Sequence, residues 1–143
     1  MAKNFLLTNE ISVKRKVKEA ILAFRIERAF SKERIMELYL NQIYLGEGTY
    51  GVAAASLEYF DKSVRDLDYD EAALLAALPR APSKYNPYKS KKRATIRRNF
   101  VLKNLYENSY INKAEYEDLK KKKIRTKKEK LNYLKMQIII QKK

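Results

Sequence analysis

The sequence contains no cysteine and no histidine. Without cysteine, neither a disulfide framework nor a thiolate metal site can form. Without histidine, the chain lacks the commonest general base and the commonest metal ligand of proteins. Any acid–base chemistry must therefore use carboxylates, lysine or tyrosine.

The chain also lacks a long apolar run. No stretch approaches the ~20 apolar residues that a membrane-spanning helix needs. The amino terminus has neither the basic start nor the ~7–15-residue apolar stretch and small-residue cleavage site of a signal peptide. We therefore expect no signal peptide and no transmembrane helix in this chain.

Glycine is scarce, and its three copies are clustered. They are Gly46, Gly48 and Gly51. Glycine marks positions where the backbone takes a positive φ or approaches another group closely, so this cluster predicts one specialised turn. No strand pattern precedes the turn and no Gly-Lys-Ser/Thr follows it, which argues against a nucleotide phosphate loop. A requirement of shape is the better interpretation.

Positive charge is abundant but unevenly distributed. The chain has 143 residues, 45% of them hydrophobic, and a net charge of +15. Residues 120–143 hold eleven basic residues and one acidic residue, for +10, which leaves +5 for residues 1–119. We therefore predict one modest folded domain over 1–119 and a basic, poorly ordered or unrelated tail over 120–143. The mildly basic domain weakens a nucleic-acid interpretation.

Hydrophobic spacing predicts an all-α fold. Helices are expected at about 12–30, 32–40, 52–60, 72–78, 90–107 and 113–119. Helix starts are predicted at the N-caps Ser12, Ser31 and Ser90 and at the capping boxes Asp68 with Glu71 and Asn112 with Glu115. In the helix over 90–107, the spacing places four apolar side chains inward and a basic face outward. The inward set is Ile96, Phe100, Val101 and Leu105, and the outer face is Lys91, Lys92, Arg93, Arg97 and Arg98.

The helix over 12–30 carries the candidate chemistry. On the side of the helix that is charged up to Glu19, the later residues Leu22 and Ile26 are apolar. The second half of the helix is therefore apolar nearly all round, as in a buried helix. Glu19 is then expected where a charged cleft wall meets a core. A glutamate four residues after an arginine is most often a solvated ion pair. Several cations around one carboxylate also suit an anionic leaving group such as a diphosphate, where the carboxylate manages a proton or a metal.

Several motifs resemble, in order and spacing, the later motifs of the peptidoglycan glycosyltransferase (transglycosylase) domain. The family comprises class A penicillin-binding proteins and monofunctional transglycosylases. The similarity covers residues 2–119. The motifs are Arg15-Lys16-Val17-Lys18-Glu19-Ala20, residues 37–52 from Glu37 to Val52, Tyr59-Phe60, residues 72–79 from Ala72 to Pro79, and Tyr85-Asn86-Pro87.

The resemblance implies a lysozyme-like, all-α fold that polymerises lipid II on the outer, periplasmic face of the cytoplasmic membrane. The donor glycan strand loses undecaprenyl diphosphate while the 4-hydroxyl of the acceptor attacks and inverts the anomeric carbon. Of the family's two glutamates, one is the general base on the acceptor and the second lies near the donor diphosphate. The implied partners are lipid II, the growing glycan strand and the membrane surface.

The resemblance also assigns roles to residues of this chain. Glu19 matches the second glutamate and is the catalytic candidate. That glutamate is thought to act with basic side chains or with a divalent cation, Mg²⁺ or Mn²⁺, which makes Glu19 the candidate metal ligand. The donor-diphosphate positions are Lys3, Arg15, Lys16 and Lys18. The motif or scaffold positions are Asn4, Asn41, Gly46, Gly48 and Gly51.

The chain departs from the family pattern at three points. The first glutamate and a Ser-Thr-Ile-Thr-Gln-Gln stretch would precede Ala2 and have no counterpart in this sequence. A usual arginine falls on Ile11, and the glycine expected after Phe60 is Asp61. We therefore expect a carboxy-terminal fragment, incomplete at its amino-terminal side and inactive alone because the acceptor base is missing. A missing lobe or a transpeptidase domain encoded separately would then be a partner.

The competing hypothesis is a small basic helical binding protein. Its partner would be nucleic acid or anionic lipid, bound by the tail and by the basic face from Lys91 to Arg98. Such contacts weaken steeply as salt rises. Salt dependence and deletion of residues 120–143 distinguish this hypothesis from donor binding.

Overall fold

The computed structural model describes the backbone of residues 2–141 and the side chains of residues 13–137 and 140. This part of the chain forms seven α-helices and one short β-hairpin, which confirms the all-α class. The chain divides into two compact units after Tyr39. The elements are α1 (Ala2–Ala29), α2 (Lys32–Gln42), β1 (Tyr44–Gly46), β2 (Thr49–Tyr50), α3 (Val52–Phe60), α4 (Tyr69–Ala77), α5 (Lys91–Glu107), α6 (Lys113–Lys121) and α7 (Lys127–Gln141).

The first unit differs from the sequence prediction in two ways. Helix α1 begins at Ala2, so the predicted N-cap at Ser12 is wrong, because position 12 lies inside the helix. The second half of α1 is not buried, since Ile21, Leu22 and Phe24 are 51%, 59% and 58% exposed. An apolar surface on all sides shows that a helix is suited to burial, but the sequence of the helix does not decide what covers it.

The start of α2 agrees with the prediction. The Ser31 hydroxyl accepts a hydrogen bond from the Arg34 amide at 3.2 Å, which pairs an otherwise free donor of the first turn. The helix continues to Gln42, two residues beyond the predicted end at Leu40. Helix ends commonly differ from prediction by one or two residues.

The core of the second unit forms where the hairpin, α3 and α4 meet. Its largest fully buried apolar side chains come from all three elements, and Ile124 joins them from the far end of the chain. The phenol of Tyr59 donates to the Leu45 carbonyl at 2.9 Å, which ties α3 to the hairpin inside the core. The cluster consists of Leu45, Ala55, Tyr59, Phe60, Leu74, Leu75, Leu78, Ala94 and Ile124.

The predicted helix starts of the second unit are confirmed. A capping box forms between Asp68 and Glu71 at the start of α4, and another between Asn112 and Glu115 at the start of α6. The Ser90 hydroxyl accepts from the backbone of residue 93 at the start of α5. All three depend on side chains within three residues of the cap, which explains why the local sequence is sufficient to predict them.

The predicted inner face of α5 is wrong in part. Ile96 and Phe100 are 63% and 50% exposed, whereas Arg98 is completely buried. Two guanidinium nitrogens of Arg98 donate to Asn99 Oδ1, and one of them also donates to the Lys120 carbonyl at 3.2 Å. Burial lowers the pKa of Arg98, and the nearby charge of Asp70 acts in the opposite direction. Packing against α4 and α6 therefore selects a different face of α5 from the one with the largest apolar side chains.

The structure also differs from the expected disorder after residue 119. Ile124 and Thr126 are 5% and 1% exposed. The Lys91 ammonium donates to the Ile124 carbonyl at 3.0 Å, and Lys122 lies 3.3 Å from Asp70. The segment leading into α7 is therefore packed against the second unit. Of the helices in residues 2–141, none combines the length and apolar character needed to cross a bilayer.

Candidate functional site

The carboxylate of Glu19 forms the centre of a small charged cluster on α1. Arg15 Nε lies 3.5 Å from Glu19 Oε1, and Lys16 Nζ lies 2.8 Å from Glu19 Oε2. Positions three and four residues apart are neighbours on a helix surface, so the spacing itself produces both contacts. The side chains of Arg15, Lys16 and Glu19 are 68%, 70% and 51% exposed. All three are therefore accessible to a ligand.

The other predicted donor-side residues are not part of this observed cluster. Lys18 is exposed on α1 and makes no ion pair with the described residues. Lys3 and Asn4 belong to α1, but they fall outside the residues whose side chains the structure describes. The structure thus brings together the side chains of Glu19, Arg15 and Lys16 on α1.

The side chains around Glu19 do not form a binding site for a metal ion held by the protein alone. Both contacts of the carboxylate are to cations. In the described part of the chain there is no group of three or more acidic side chains that could hold a metal. Divalent cations such as Mg²⁺ require several oxygen ligands in a defined geometry. The cluster is better suited to contacting an anion through Arg15 and Lys16.

The three glycines form the predicted turn, and each has a positive φ. The φ angles of Gly46, Gly48 and Gly51 are 91°, 70° and 82°. A Cβ at Gly51 would lie 2.5 Å from the Asn41 carbonyl oxygen, because the chain after the hairpin returns against the end of α2. Gly48 has open space around it. Glycine is therefore required at position 51 by the positive φ and by the nearby Asn41 backbone, and at position 48 by the positive φ alone.

Gly46 joins the turn to the core. A Cβ at this position would lie 2.7 Å from the Tyr59 hydroxyl, the same hydroxyl that donates to the Leu45 carbonyl. Burial and the neighbouring negative charge of Glu47 raise the pKa of Tyr59, so the phenol keeps its proton and remains a donor. The motif around the glycines and the Tyr59-Phe60 motif thus meet in space.

Sequence reasoning missed the polar network that holds the tip of the turn. Glu47 has a φ of 50°, and its carboxylate accepts from Asn86 Nδ2 at 2.6 Å and lies 3.4 Å from Lys128 Nζ. Asn86 is 1% exposed, and its side-chain oxygen accepts from the Tyr88 amide at 2.8 Å. Both Glu47 and Asn86 lie within the motifs that carried the family resemblance. That membership was the signal that could have singled them out.

The cluster on α1 and the glycine turn differ in their chemistry. The cluster on α1 offers hydrogen-bond donors and positive charge to an anionic group. The glycine turn offers a fixed backbone shape, with its acidic side chain already engaged by Asn86 and Lys128. The donor groups of the described site residues are therefore concentrated on α1.

A family model described as transglycosylase matches residues 1–106. The chain therefore belongs to the transglycosylase family, and the resemblance predicted from its motifs is confirmed. This match and the structural similarity below also confirm the lysozyme-like character of the fold.

Two relatives are penicillin-binding proteins 1A. The chain is 57% identical over 129 residues to penicillin-binding protein 1A of Aquifex aeolicus (strain VF5), covering 90% of this chain and 18% of that protein. It is 55% identical over 117 residues to penicillin-binding protein 1A of Vibrio cholerae serotype O1, covering 82% of this chain and 14% of that protein. The chain thus spans less than a fifth of the length of these curated relatives.

A solved structure supports the same family. The crystal structure of penicillin-binding protein 1A from Haemophilus influenzae matches with a TM-score of 0.65 and 47% sequence identity. The match covers 68% of this chain and 14% of that one.

Proposed function

We propose that this chain is part of a peptidoglycan glycosyltransferase that polymerises lipid II at the outer face of the cytoplasmic membrane. Membership of the transglycosylase family and the similarity to penicillin-binding proteins 1A support this proposal. In the proposed reaction, the acceptor 4-hydroxyl forms a bond to the anomeric carbon of the donor strand. The bond from that carbon to undecaprenyl diphosphate breaks, and the configuration is inverted.

The donor side of the reaction is assigned to α1. The observation that carries this assignment is the pair of cations, Arg15 and Lys16, within 3.5 Å of Glu19 on an exposed helix surface. As the glycosidic bond breaks, negative charge develops on the leaving diphosphate. Cations already positioned there stabilise that charge more in the transition state than in the ground state.

Glu19 has two connected roles in this proposal. Its carboxylate pairs with Arg15 and Lys16 on the surface of the helix. Both cations have further N–H groups, which can donate to phosphate oxygens. Glu19 also stands beside the leaving group, where a carboxylate can manage a proton. Lys3 and Lys18 are assigned to the same diphosphate on the family resemblance alone. Basic side chains supply the neutralising charge, and no step is assigned to a metal ion.

The glycine turn serves as scaffold in this proposal. Asn41 and Gly51 fix a close approach between the end of α2 and the start of α3, and Gly46 fixes the turn against Tyr59. These contacts set a backbone shape that larger residues would disrupt. The turn is assigned no proton transfer.

The acceptor base is assigned to residues outside this 143-residue chain. No carboxylate of the sequence matches the family's first glutamate, so an additional segment or a separate chain must contribute it. We expect the 143-residue chain alone to bind lipid II without forming glycan strands. Glycan formation by the purified chain, measured by gel separation of the products, would overturn this assignment.

The donor assignment is tested by lipid II binding in detergent micelles. We compare the double variant Lys16→Ala with Glu19→Gln against the matched control Lys14→Ala with Glu27→Gln, which changes the same residue types on the same helix. Loss of a charge-assisted contact to phosphate is expected to weaken binding about tenfold in the first variant. Equal affinities of the two double variants would contradict the donor assignment.

A further inference from the structure

A groove lies between the start of α5 and the segment from Lys123 to Tyr133. Its volume is about 640 Å³. Three cations, Lys123, Arg125 and Lys130, line it together with the apolar surfaces of Ile124 and Tyr133. This combination of positive charge and apolar wall is unlike the cluster on α1, which is purely ionic.

The groove is a fixed feature of the second unit. Ile124 is buried in the core between the two exposed cations at 123 and 125. The Lys91 ammonium donates to the Ile124 carbonyl at 3.0 Å and also pairs with Glu129. Thr126, 1% exposed, donates its amide to Glu129 at 3.2 Å, which caps the start of α7. These contacts fix the backbone that carries the three cations.

The groove carries a net positive charge that has no internal partner. Glu129 is engaged by Lys91, and that hydrogen bond lowers the pKa of the carboxyl. The side chains of Lys123, Arg125 and Lys130 are exposed and make no hydrogen bond or ion pair with the described residues. Three charges are therefore available to an anion from outside the chain.

The helix that borders the groove exposes aliphatic side chains beside its lysines. Leu131, Leu134 and Met136 are 46%, 53% and 62% exposed. Leu134 lies one helical turn after Lys130, so a cation and an aliphatic group share one side of α7. Nucleic acids are held by cations with polar or stacking aromatic groups. The surface has one exposed aromatic side chain, Tyr133, against three exposed aliphatic ones. Aliphatic groups interleaved with lysines suit the boundary between lipid headgroups and acyl chains.

We propose that this groove and the adjoining surface of α7 dock onto a bilayer that contains anionic phospholipids. Phosphate groups of the headgroups would accept from Lys123, Arg125 and Lys130, while Leu131 and Leu134 enter the acyl boundary. Clusters of basic residues beside apolar ones attract anionic leaflets in this way. The inference goes beyond glycosyl transfer and uses no residue of α1.

The test is co-sedimentation of the 143-residue chain with phosphatidylcholine vesicles, with and without phosphatidylglycerol. The groove variant is Lys123→Gln, Arg125→Gln and Lys130→Gln together. The matched control, Lys32→Gln, Arg65→Gln and Lys113→Gln together, removes the same charge from exposed positions elsewhere. We expect the groove variant to partition at least about tenfold less onto phosphatidylglycerol vesicles, and the control to stay within about twofold of the parent.

A second variant tests the apolar contribution. Leu131→Ser with Leu134→Ser is expected to lower vesicle partitioning roughly fivefold, because it removes aliphatic area from the lipid boundary. Duplex DNA binding by the same variant serves as the comparison and should not change. Far-UV circular dichroism checks that every variant keeps its helices.

Three results would overturn the proposal. One is an equal loss of vesicle binding in the groove and control triple variants, which would show that binding depends only on the net charge of the chain. Another is equal binding to vesicles with and without phosphatidylglycerol. The third is unchanged vesicle binding in the double leucine variant together with displacement of the vesicles by duplex DNA, which would assign the surface to nucleic acid.

Discussion

Helix α1 and the glycine turn differ in the range of the contacts that define them. On α1, Glu19 contacts cations three and four residues away, and all three side chains are more than half exposed. In the turn, Glu47 contacts Asn86 and Lys128, which lie 39 and 81 residues further along the chain. Helix α1 therefore presents charge from a local arrangement, whereas the turn is a shape produced by the fold. Changes in α1 should alter binding, and changes in the turn should alter stability.

The largest effect is expected for Gly51→Ala. The new Cβ would combine a positive φ of 82° with a 2.5 Å approach to the Asn41 carbonyl oxygen. We expect the free energy of unfolding to fall by about 3 kcal/mol or more, measured by urea denaturation. Gly48→Ala, with a φ of 70° and open space, is the control and should cost about 1 kcal/mol. Equal costs would show that the close approach to Asn41 does not constrain the turn.

The next effect is expected for Asn86→Ala. This change removes the donor to Glu47 and the acceptor for the Tyr88 amide, both at a site that is 1% exposed. Unpaired buried groups are costly, so we expect a loss of about 2 kcal/mol in thermal or urea unfolding. Asn108→Ala removes one exposed contact to the Asn104 carbonyl and should cost a few tenths of a kcal/mol. A loss for Asn86→Ala as small as that of the control would show that the turn does not depend on this long-range contact.

A smaller effect of opposite sign is expected for Asp61→Gly. Asp61 has a φ of 57°, a conformation that glycine adopts without strain, and it lies 3.2 Å from Lys127. Relief of backbone strain should exceed the loss of an exposed ion pair, and we expect unfolding to require about 0.5 kcal/mol more. Ser109→Gly, at a φ of 61°, is the control without that pair. A loss of stability in Asp61→Gly alone would show that Lys127 contributes more than an exposed pair.

The smallest effect on stability is expected for Glu19→Gln. Its two ion pairs are exposed and local, so their removal should change the free energy of unfolding by a few tenths of a kcal/mol. The same urea titrations used for the turn variants provide the measurement. A loss as large as that of Asn86→Ala would place Glu19 among structural residues and end the contrast between the two regions.

Apart from the N-cap at Ser12, which lies inside α1, the local features of the fold were predictable from the sequence, and features that depend on packing were not. The capping boxes at Asp68 and Asn112 need only side chains three residues apart. Burial of Arg98 instead of Ile96 depends on which side of α5 meets α4 and α6, and helical spacing permits either choice. A buried guanidinium also requires partners such as the Lys120 carbonyl, which no local pattern reveals.

The candidate site shows the same division. The spacing of Arg15, Lys16 and Glu19 was sufficient to predict that they share a side of α1. The clustering of glycines was sufficient to predict the turn. The bond between Glu47 and Asn86 was not predictable from spacing, because the positions are joined only by the packing of the second unit. The burial of Ile124 was not predictable for a related reason, since it is a single apolar side chain within a run of lysines.

The donor assignment is tested most directly by comparing how tightly two variants, Lys16→Ala and Lys14→Ala, bind a donor-mimicking phosphoglycolipid. Both are exposed lysines of α1, but Lys16 alone of the two contacts Glu19 among the described residues. Isothermal titration with the parent chain and both variants is the measurement. We expect Lys16→Ala to bind about tenfold more weakly than Lys14→Ala, while both unfold at the same urea concentration. Equal affinities of the two variants would contradict the assignment of the donor side to the cluster around Glu19.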